Sequence, residues 1–339
     1  MRHAAILPHL KETHMSLIRH APFALLVLVP SLAAAQAPPA AAPKPDTPQV
    51  VALIEKAKKA GGPLWAEEAR FFCESPRGNS PNDPAIAPTK IFDNVYIIGN
   101  TGTVVYVVQT SDGLVMFDAL NANQVESDLL PAFKKLGLDP AQVRAVVVAH
   151  GHADHFGGSK YFQDRFKSKI YVSAADWNLM ENPPPARGGR GGTPVEPPRR
   201  DQVITEGQPI VQGDFKIIPV AVPGHTPGSM GFIFPVRDNG RTVMAAIYGG
   251  TILTPGPISD EGLQTYLKSV TRFRDETRRN KVEVVMQNHP LMDPVQPKLE
   301  RLAARKAGEP NPYVVGPENY QRFLDVMAAC TEVNIARRK

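Results

Sequence analysis

Short runs of β-branched and aromatic residues recur along the chain from Ile91, and they predict strands. Several runs are apolar at every position, which is typical of strands that are covered on both faces. The runs are "NVYIIGN", "TVVYVVQT", "GLVMFDA", "VRAVVVAH", "KIYVS", "FKIIPVAV", "GFIFPV", "TVMAAIY" and "VEVVMQNH". A sheet with helices on one side and a second sheet on the other would bury both faces of such strands.

Apolar residues at helical spacing predict helices between these runs. The clearest helix is "NQVESDLLPAFKKLG", in which five apolar residues share one face: Val125, Leu129, Leu130, Phe133 and Leu136. Further predicted helices are "GGSKYFQDRFK", "AADWNLM", "DEGLQTYLKSVTRFRDE" and "PENYQRFLDVMAACTEV". The mixture of strands and helices predicts an α/β domain that is built in layers.

The segment 181–200 interrupts this pattern with six prolines, four glycines and four arginines. Such a composition excludes a regular helix or strand and predicts a long inserted loop. Long loops in compact domains are often functional, although a solvated, variable insertion has the same composition.

The N-terminal part of the chain reads as a targeting segment. From Met15 it has a basic region, an apolar run from Phe23 to Val29 and small residues at Ala33, Ala35 and Ala37, which together indicate a secretory signal peptide. The apolar run is too short to span a bilayer as a helix. We therefore predict a periplasmic protein without stable membrane insertion.

These patterns divide the chain into three parts. Residues 1–37 are the signal peptide with a possible upstream extension, and residues 38–49 form a linker rich in proline and alanine. Residues 50–339 are predicted to form a single domain with its core at 91–290 and with helical extensions at both ends.

Composition narrows the function further. The chain has 339 residues, 42% of them apolar, and this is enough for a sizeable core. Its 38 basic residues are spread out among 33 acidic ones, so nothing indicates a nucleic-acid partner. In an oxidising compartment Cys73 and Cys330 could form a bridge between the N-terminal extension and the C-terminal helix, or both could stay buried thiols.

Histidines mark the candidate chemistry. Four of the nine lie within the first 20 residues, and the remaining five each follow a strand-like run: His150, His152, His155, His225 and His289. Strand ends meet at the edge of a sheet, so these side chains could converge there. Three of them share the stretch "AHGHADHFGG" with Asp154, and imidazole plus carboxylate is a donor set that zinc selects. Six such ligands predict a site for two metal ions.

The motifs resemble those of the metallo-β-lactamase superfamily. "HGHADHFGG" resembles its H-x-H-x-D-H signature, "PGHTPGS" and "QNHP" its later histidine loops, and "GLVMFDA" its early strand that ends in Asp118. The resemblance implies an αββα sandwich and two Zn²⁺ ions. The implied ligands are His150, His152 and His225 for the first ion, and Asp154, His155 and His289 for the second. Asp118 would orient the metal loop.

Within this superfamily the chain is similar to the third subclass of class B β-lactamases. Gly250 stands where glyoxalase II and the tRNA-processing nucleases carry a bridging Asp. The similarity implies an exported enzyme of antibiotic resistance that opens the β-lactam ring by attack of a zinc-bound hydroxide, with Asp154 holding the hydroxide in line. Its substrate would be a small molecule.

The substrate-binding positions depart from that subclass. Thr251 and Leu253 stand where two serines usually anchor the substrate carboxylate, so only Thr251 could serve as an anchor, and Arg187 and Arg190 of the long loop could supply the other. A dizinc hydrolase of a lactone, an ester or another amide is therefore the alternative function. A phosphodiesterase or nuclease is a further alternative, which the absence of the bridging Asp and of a basic arm disfavours.

Overall fold

The computed structural model describes residues 45–74, 83–184, 195–253 and 258–339. The chain from Pro45 to Lys339 forms one compact unit. The predicted signal peptide, most of the predicted linker, and Arg187 and Arg190 of the predicted loop lie outside the described residues. No helix in the described part of the chain is both long and apolar enough to cross a membrane.

The described residues form two β-sheets, and all nine strand predictions are confirmed. The first sheet contains, in spatial order, β1 (Thr89–Phe92), β2 (Val95–Gly99), β3 (Val104–Thr110), β4 (Gly113–Phe117), β5 (Val143–Val147), β6 (Lys169–Ser173) and β7 (Gln202–Ile204). The second contains β8 (Ile210–Gln212), β9 (Phe215–Ala221), β10 (Met230–Asp238), β11 (Arg241–Ile247) and β12 (Val282–Met286), ordered β12-β11-β10-β9-β8. Strands β4 to β7 are parallel, as are β11 and β12, and the other neighbours are antiparallel.

The helices lie between the strands and at both ends of the unit. They are α1 (Pro48–Gly61), α2 (Ala66–Glu74), α3 (Leu130–Lys135), α4 (Ala153–Phe156), α5 (Ser159–Phe166), α6 (Ala174–Glu181), α7 (Asp260–Arg279), α8 (Val295–Ala303) and α9 (Pro317–Arg337). A wide π-helical turn, Val125–Leu129, leads into α3, so the clearest predicted helix is confirmed with a different first turn. Val125, Leu129 and Phe133 are buried as its periodicity predicted, whereas Leu130 and Leu136 are partly buried.

Strand β3 shows how the layers are stacked. Val104, Tyr106 and Val108 belong to the apolar core between the two sheets, whereas Val105 and Val107 face the helix layer that contains Phe133 and Phe162. Successive side chains of a strand point to opposite faces, so a strand that is apolar throughout must be covered on both. A third apolar cluster packs α1, α2, α7 and α9 against the second sheet. The predicted αββα sandwich is confirmed.

A disulfide joins the N-terminal helices to the C-terminal helix. Cys73 in α2 is bonded to Cys330 in α9, with their Cα atoms 4.7 Å apart, which confirms the predicted bridge over the alternative of two free thiols. Nearby, the indole nitrogen of Trp65 donates a 2.7 Å hydrogen bond to the carbonyl oxygen of Asn319. The helical cover of the second sheet is therefore fastened covalently as well as by packing.

Glu68 in α2 is a buried carboxyl whose titration should be visible in the stability of the protein. It is 4% exposed, and its Oε2 atom has no hydrogen-bond partner among the described residues. Burial raises the pKa of Glu68 to about 7, and the nearby Asp293 adds to the rise. The folded-state pKa is above the unfolded value, so this group favours folding most below about pH 4.5, and that contribution falls as the pH rises through about 7.

We therefore expect the free energy of unfolding of Glu68→Gln to rise relative to that of the wild-type protein as the pH rises. Between pH 4.5 and pH 8, the difference between the two proteins should change by roughly 2–3 kcal/mol in favour of the variant. Urea unfolding at several pH values measures this difference. Glu67→Gln is the matched control, because the Glu67 side chain is 73% exposed and pairs with Arg70 on the surface. A stability difference for Glu68→Gln that does not change with pH would contradict the prediction.

Candidate metal centre

The strand ends bring the predicted ligands together. His150 and His152 follow β5, His225 follows β9, and His289 follows β12, each after the carboxyl end of its strand. The structure forms two groups of possible metal ligands, divided as the sequence predicted: His150, His152 and His225 in one, and Asp154, His155 and His289 in the other. Within each group all ligand atoms lie within 4.8 Å of one another.

The ring nitrogens of each group point at one another. Nε2 of His225 lies 3.2 Å from Nε2 of His150 and 3.1 Å from Nδ1 of His152. In the second group, Nε2 of His155 is 3.0 Å from Nε2 of His289 and 3.3 Å from Oδ2 of Asp154. The edge of a tetrahedral zinc site with Zn–N bonds of 2.0–2.1 Å is about 3.3 Å long, so these spacings suit a divalent ion.

The outer hydrogen bonds fix which nitrogens are free to bind a metal. Nδ1 of His225 lies 2.8 Å from the carbonyl oxygen of Ile252, and Nδ1 of His289 lies 2.7 Å from that of Gly102. A carbonyl only accepts hydrogen bonds, so both Nδ1 atoms carry the proton and both neutral rings present a bare lone pair at Nε2. Each group therefore contains at least one bare ring nitrogen directed at the other ligand atoms, as a metal ligand requires. The residues present therefore fit a metal centre.

Asp118 holds His155 of the second group through the ring nitrogen that faces away from the other ligands. It follows β4 in a left-handed conformation (φ 62°), which aspartate tolerates better than most residues. Its Oδ2 atom lies 2.8 Å from Nδ1 of His155 and accepts a 2.9 Å hydrogen bond from the side-chain amide of Asn288. Its Oδ1 atom accepts a 2.8 Å bond from the backbone N–H of Ala149, so one carboxylate orients both the ligand ring and the loop that carries it.

The electrostatics of the site favour an ionised carboxylate. Burial alone would raise the pKa of Asp154, but the facing His155 holds it well below its usual value. Burial and the neighbouring histidines hold the pKa of His150 well below its usual value, which keeps that ring neutral. A neutral ring is the form that binds metals. His152 is the exposed member of the first group, so the centre opens to solvent on its side.

The turn after β11 lies directly against the first group. Gly250 has a φ of +75°, and a Cβ atom there would come within 2.7 Å of the Cβ and ring atoms of His225. Thr251 is fully buried, its hydroxyl has no hydrogen-bond partner in the described part of the chain, and its carbonyl accepts a bond from Tyr266. Leu253 is 3% exposed and belongs to the apolar core. In this structure neither the Thr251 nor the Leu253 side chain faces solvent.

Four contributors to the centre were not found by sequence reasoning: the carbonyls of Gly102 and Ile252, the amide of Asn288 and the carboxylate of Asp176. Asn288 precedes His289 and could have been considered on that ground. Asp176 had a misleading signal, because Ser173 and Asp176 have the spacing of a helix cap. The Ser173 hydroxyl does accept a 3.3 Å bond from the Asp176 N–H, but the Asp176 carboxylate points away, to the metal-ligand loops.

Comparisons with known proteins agree with this geometry. The family model of the metallo-beta-lactamase superfamily matches residues 98–239, which include five of the six candidate ligands, all except His289. This match agrees with the resemblance that the motifs indicated. Proteins with this fold bind divalent metal ions, in accordance with the two groups of candidate ligands.

Solved structures and curated relatives extend the comparison. The subclass B3 metallo-beta-lactamase BJP-1 of Bradyrhizobium japonicum has a TM-score of 0.61 and 23% identity, over 71% of this chain and 90% of its own. An N-acyl homoserine lactonase of Bacillus sp. is 21% identical over 55% of this chain and 78% of its own length. A hydroxyacylglutathione hydrolase of Mesorhizobium japonicum is 26% identical over 41% of this chain, and the match spans 48% of that relative. These comparisons support a hydrolase with a small-molecule substrate.

Proposed function

We propose that the protein is an exported dizinc hydrolase that opens the ring of β-lactams. The observation that carries this proposal is the ligand set together with Gly250. His155 completes the second group. The position where glyoxalase II has a bridging carboxylate is Gly250, which packs closely against His225. The likeness to subclass B3 structures supports the fold on which this arrangement rests.

Zinc suits the donor set because five imidazoles and one carboxylate are the ligands that this borderline ion prefers. When bound, the two ions would supply a water that ionises near neutral pH and an electrophile for the carbonyl oxygen. His150, His152 and His225 would hold the first ion, and Asp154, His155 and His289 the second.

The Asp154 carboxylate has the central role among the residues of the chain. Hydrolysis joins a water oxygen to the carbonyl carbon, breaks the C–N bond and transfers one proton to the departing nitrogen. We propose that Asp154 accepts a hydrogen bond from the attacking water and directs this water at the carbonyl carbon. Asp154 then passes the proton of the water on to the departing nitrogen. Its low pKa keeps it ionised, and its partial exposure leaves it in reach of a substrate.

A lactone or ester is the second candidate substrate, and a specific observation favours it. Thr251 and Leu253 occupy the positions of the usual carboxylate anchors, yet both side chains are buried. A substrate without a carboxylate next to the reacting ring would not need those anchors. The likeness to an N-acyl homoserine lactonase, at 21% identity, points in the same direction.

A substrate panel separates the two candidates. The zinc-loaded protein is given a chromogenic cephalosporin, a carbapenem, an acylated γ-lactone and an aryl ester, before and after chelation. We expect turnover of both β-lactams that chelation removes and added zinc restores, because the nucleophile depends on the metal. Asp154→Asn should lose this activity, whereas Glu67→Gln should keep it. Two bound zinc ions with turnover of the lactone alone would refute the β-lactam proposal and support the second candidate.

Export is the other part of the proposal. The signal-peptide pattern from Met15 supports it, and so does the Cys73–Cys330 disulfide, because such bonds persist mainly in oxidising compartments. Fractionation of cells that produce the full chain, with mass spectrometry of the N-terminus, tests this. Recovery of the uncleaved chain from the cytoplasm, with both thiols reduced, would refute export.

A further inference from the structure

A buried carboxylate, that of Asp176 at the start of α6, joins the two loops that carry the first ligand group. Its Oδ2 atom accepts a 2.7 Å hydrogen bond from the backbone N–H of Gly151, which lies between His150 and His152. Its Oδ1 atom accepts a 2.8 Å bond from the N–H of Gly228, in the loop that carries His225. One side chain thus holds backbone groups of both loops.

The same carboxylate also accepts a hydrogen bond from one side chain of the second loop. The Thr226 hydroxyl donates a 2.7 Å bond to Oδ2 of Asp176, and the Ser229 hydroxyl lies 2.7 Å from that of Thr226. Asp176 and Ser229 are fully buried and Thr226 nearly so, so water does not compete for these bonds. Hydrogen bonds to an ionised acceptor are about twice as strong as neutral ones.

Glycines in both loops allow this close approach. A Cβ atom at Gly228 would lie 2.7 Å from Cγ of Asp176 and 2.1 Å from the Ser173 hydroxyl. A Cβ atom at Gly151 would lie 3.3 Å from Cβ of Asp176. The "HGH" and "PGS" stretches therefore pack their glycines against Asp176, and the loops could not take this arrangement with larger residues at Gly228.

We propose that Asp176 is the positioning residue of the first ligand group, as Asp118 is of the second. Asp118 binds Ala149, His155 and Asn288. Asp176 instead binds the backbone N–H groups of Gly151 and Gly228, in the two loops that carry the first ligand group. The inference rests on the proposed metal centre but not on the substrate, because it concerns the affinity of the first group for a metal ion.

Cobalt binding to single-group variants tests this assignment. His289→Ala disables the second group and leaves the first, and His225→Ala does the reverse. Asp176→Asn keeps the shape of the side chain but removes the charge and turns one acceptor into a donor that faces an N–H. We expect it to weaken Co²⁺ binding about 10- to 100-fold in the His289→Ala background and to leave binding in the His225→Ala background unchanged. Chelator competition and the visible cobalt spectrum give both affinities.

Asp238→Asn is the matched control. Asp238 also makes several hydrogen bonds, to the Arg305 guanidinium and the Asn311 amide, but it contacts neither histidine loop. It should lower the unfolding temperature and leave both cobalt affinities unchanged. Equal losses in both backgrounds for Asp176→Asn, or none in either, would overturn the assignment.

Thr226→Val keeps the test decisive if Asp176→Asn does not fold. It removes one donor to Asp176 and retains the shape of the side chain. We expect it to weaken Co²⁺ binding several-fold in the His289→Ala background only. Unchanged affinity would overturn the proposal. The result does not depend on substrate, so loss of the β-lactam proposal would leave it standing.

Discussion

Replacing His225 by alanine is expected to lower kcat/KM more than about 1000-fold and to remove the metal ion of the first group. Nε2 of His225 is the atom that faces both other nitrogens of this group, at 3.2 and 3.1 Å, so its loss leaves only two ligands. Steady-state kinetics together with the zinc content per chain measure the two effects.

Glu67→Gln serves as the control for His225→Ala, because it alters an exposed carboxylate and should keep full activity and zinc content. A His225→Ala protein that binds one zinc ion and retains full activity would overturn the dinuclear proposal. Its second group should still bind one metal ion, since Asp154, His155 and His289 do not depend on the ring that is removed.

Replacing Gly250 by alanine is expected to displace His225, because the new Cβ atom would lie 2.7 Å from the ring. The substitution also places a side chain at a φ of +75°, which costs about 1 kcal/mol wherever it occurs. We therefore expect lower stability together with a large loss of zinc from the first group and of turnover, measured by unfolding, metal content and kinetics.

Gly240→Ala separates the two effects of that substitution. Gly240 has nearly the same φ, +76°, but a Cβ atom there would meet nothing within 4 Å. Gly240→Ala should therefore lose about as much stability from its backbone conformation as Gly250→Ala does, and it should keep its metal ions and its activity. If both variants kept full zinc content, the close contact between Gly250 and His225 would not matter to the centre.

Nine of the twelve strands in the described residues were predictable because they follow from local pattern. Strands such as β3 are apolar at nearly every position, and their alternate residues meet the second sheet and the helix layer. The helix after β4 was predicted from its buried face, but its π-helical first turn was not. A one-residue widening of a turn leaves the apolar face in place, so the periodicity does not report it.

The candidate ligands were predictable for a related reason. Four of them lie within six residues of one another, and the other two follow strand-like runs, so each was expected near a strand end. The strands belong to both sheets, so the packing of the two sheets is also needed to bring the six ligands together. The anchors of the substrate were harder to assess. The family resemblance placed Thr251 and Leu253 beside the centre, and only the packing of the turn shows that both residues are buried.

By itself, the sequence predicted the layers of the fold and the six candidate ligands, since strand runs and the histidines that follow them are local patterns. The family resemblance implied how those ligands divide into two groups. Only the tertiary structure decided what holds those ligands. The Gly102 carbonyl meets His289 across 187 positions, Cys73 meets Cys330 across 257, and Asp176 binds two loops at once. Such contacts leave no local pattern, because they depend on how distant segments pack and on which buried polar groups must find partners there.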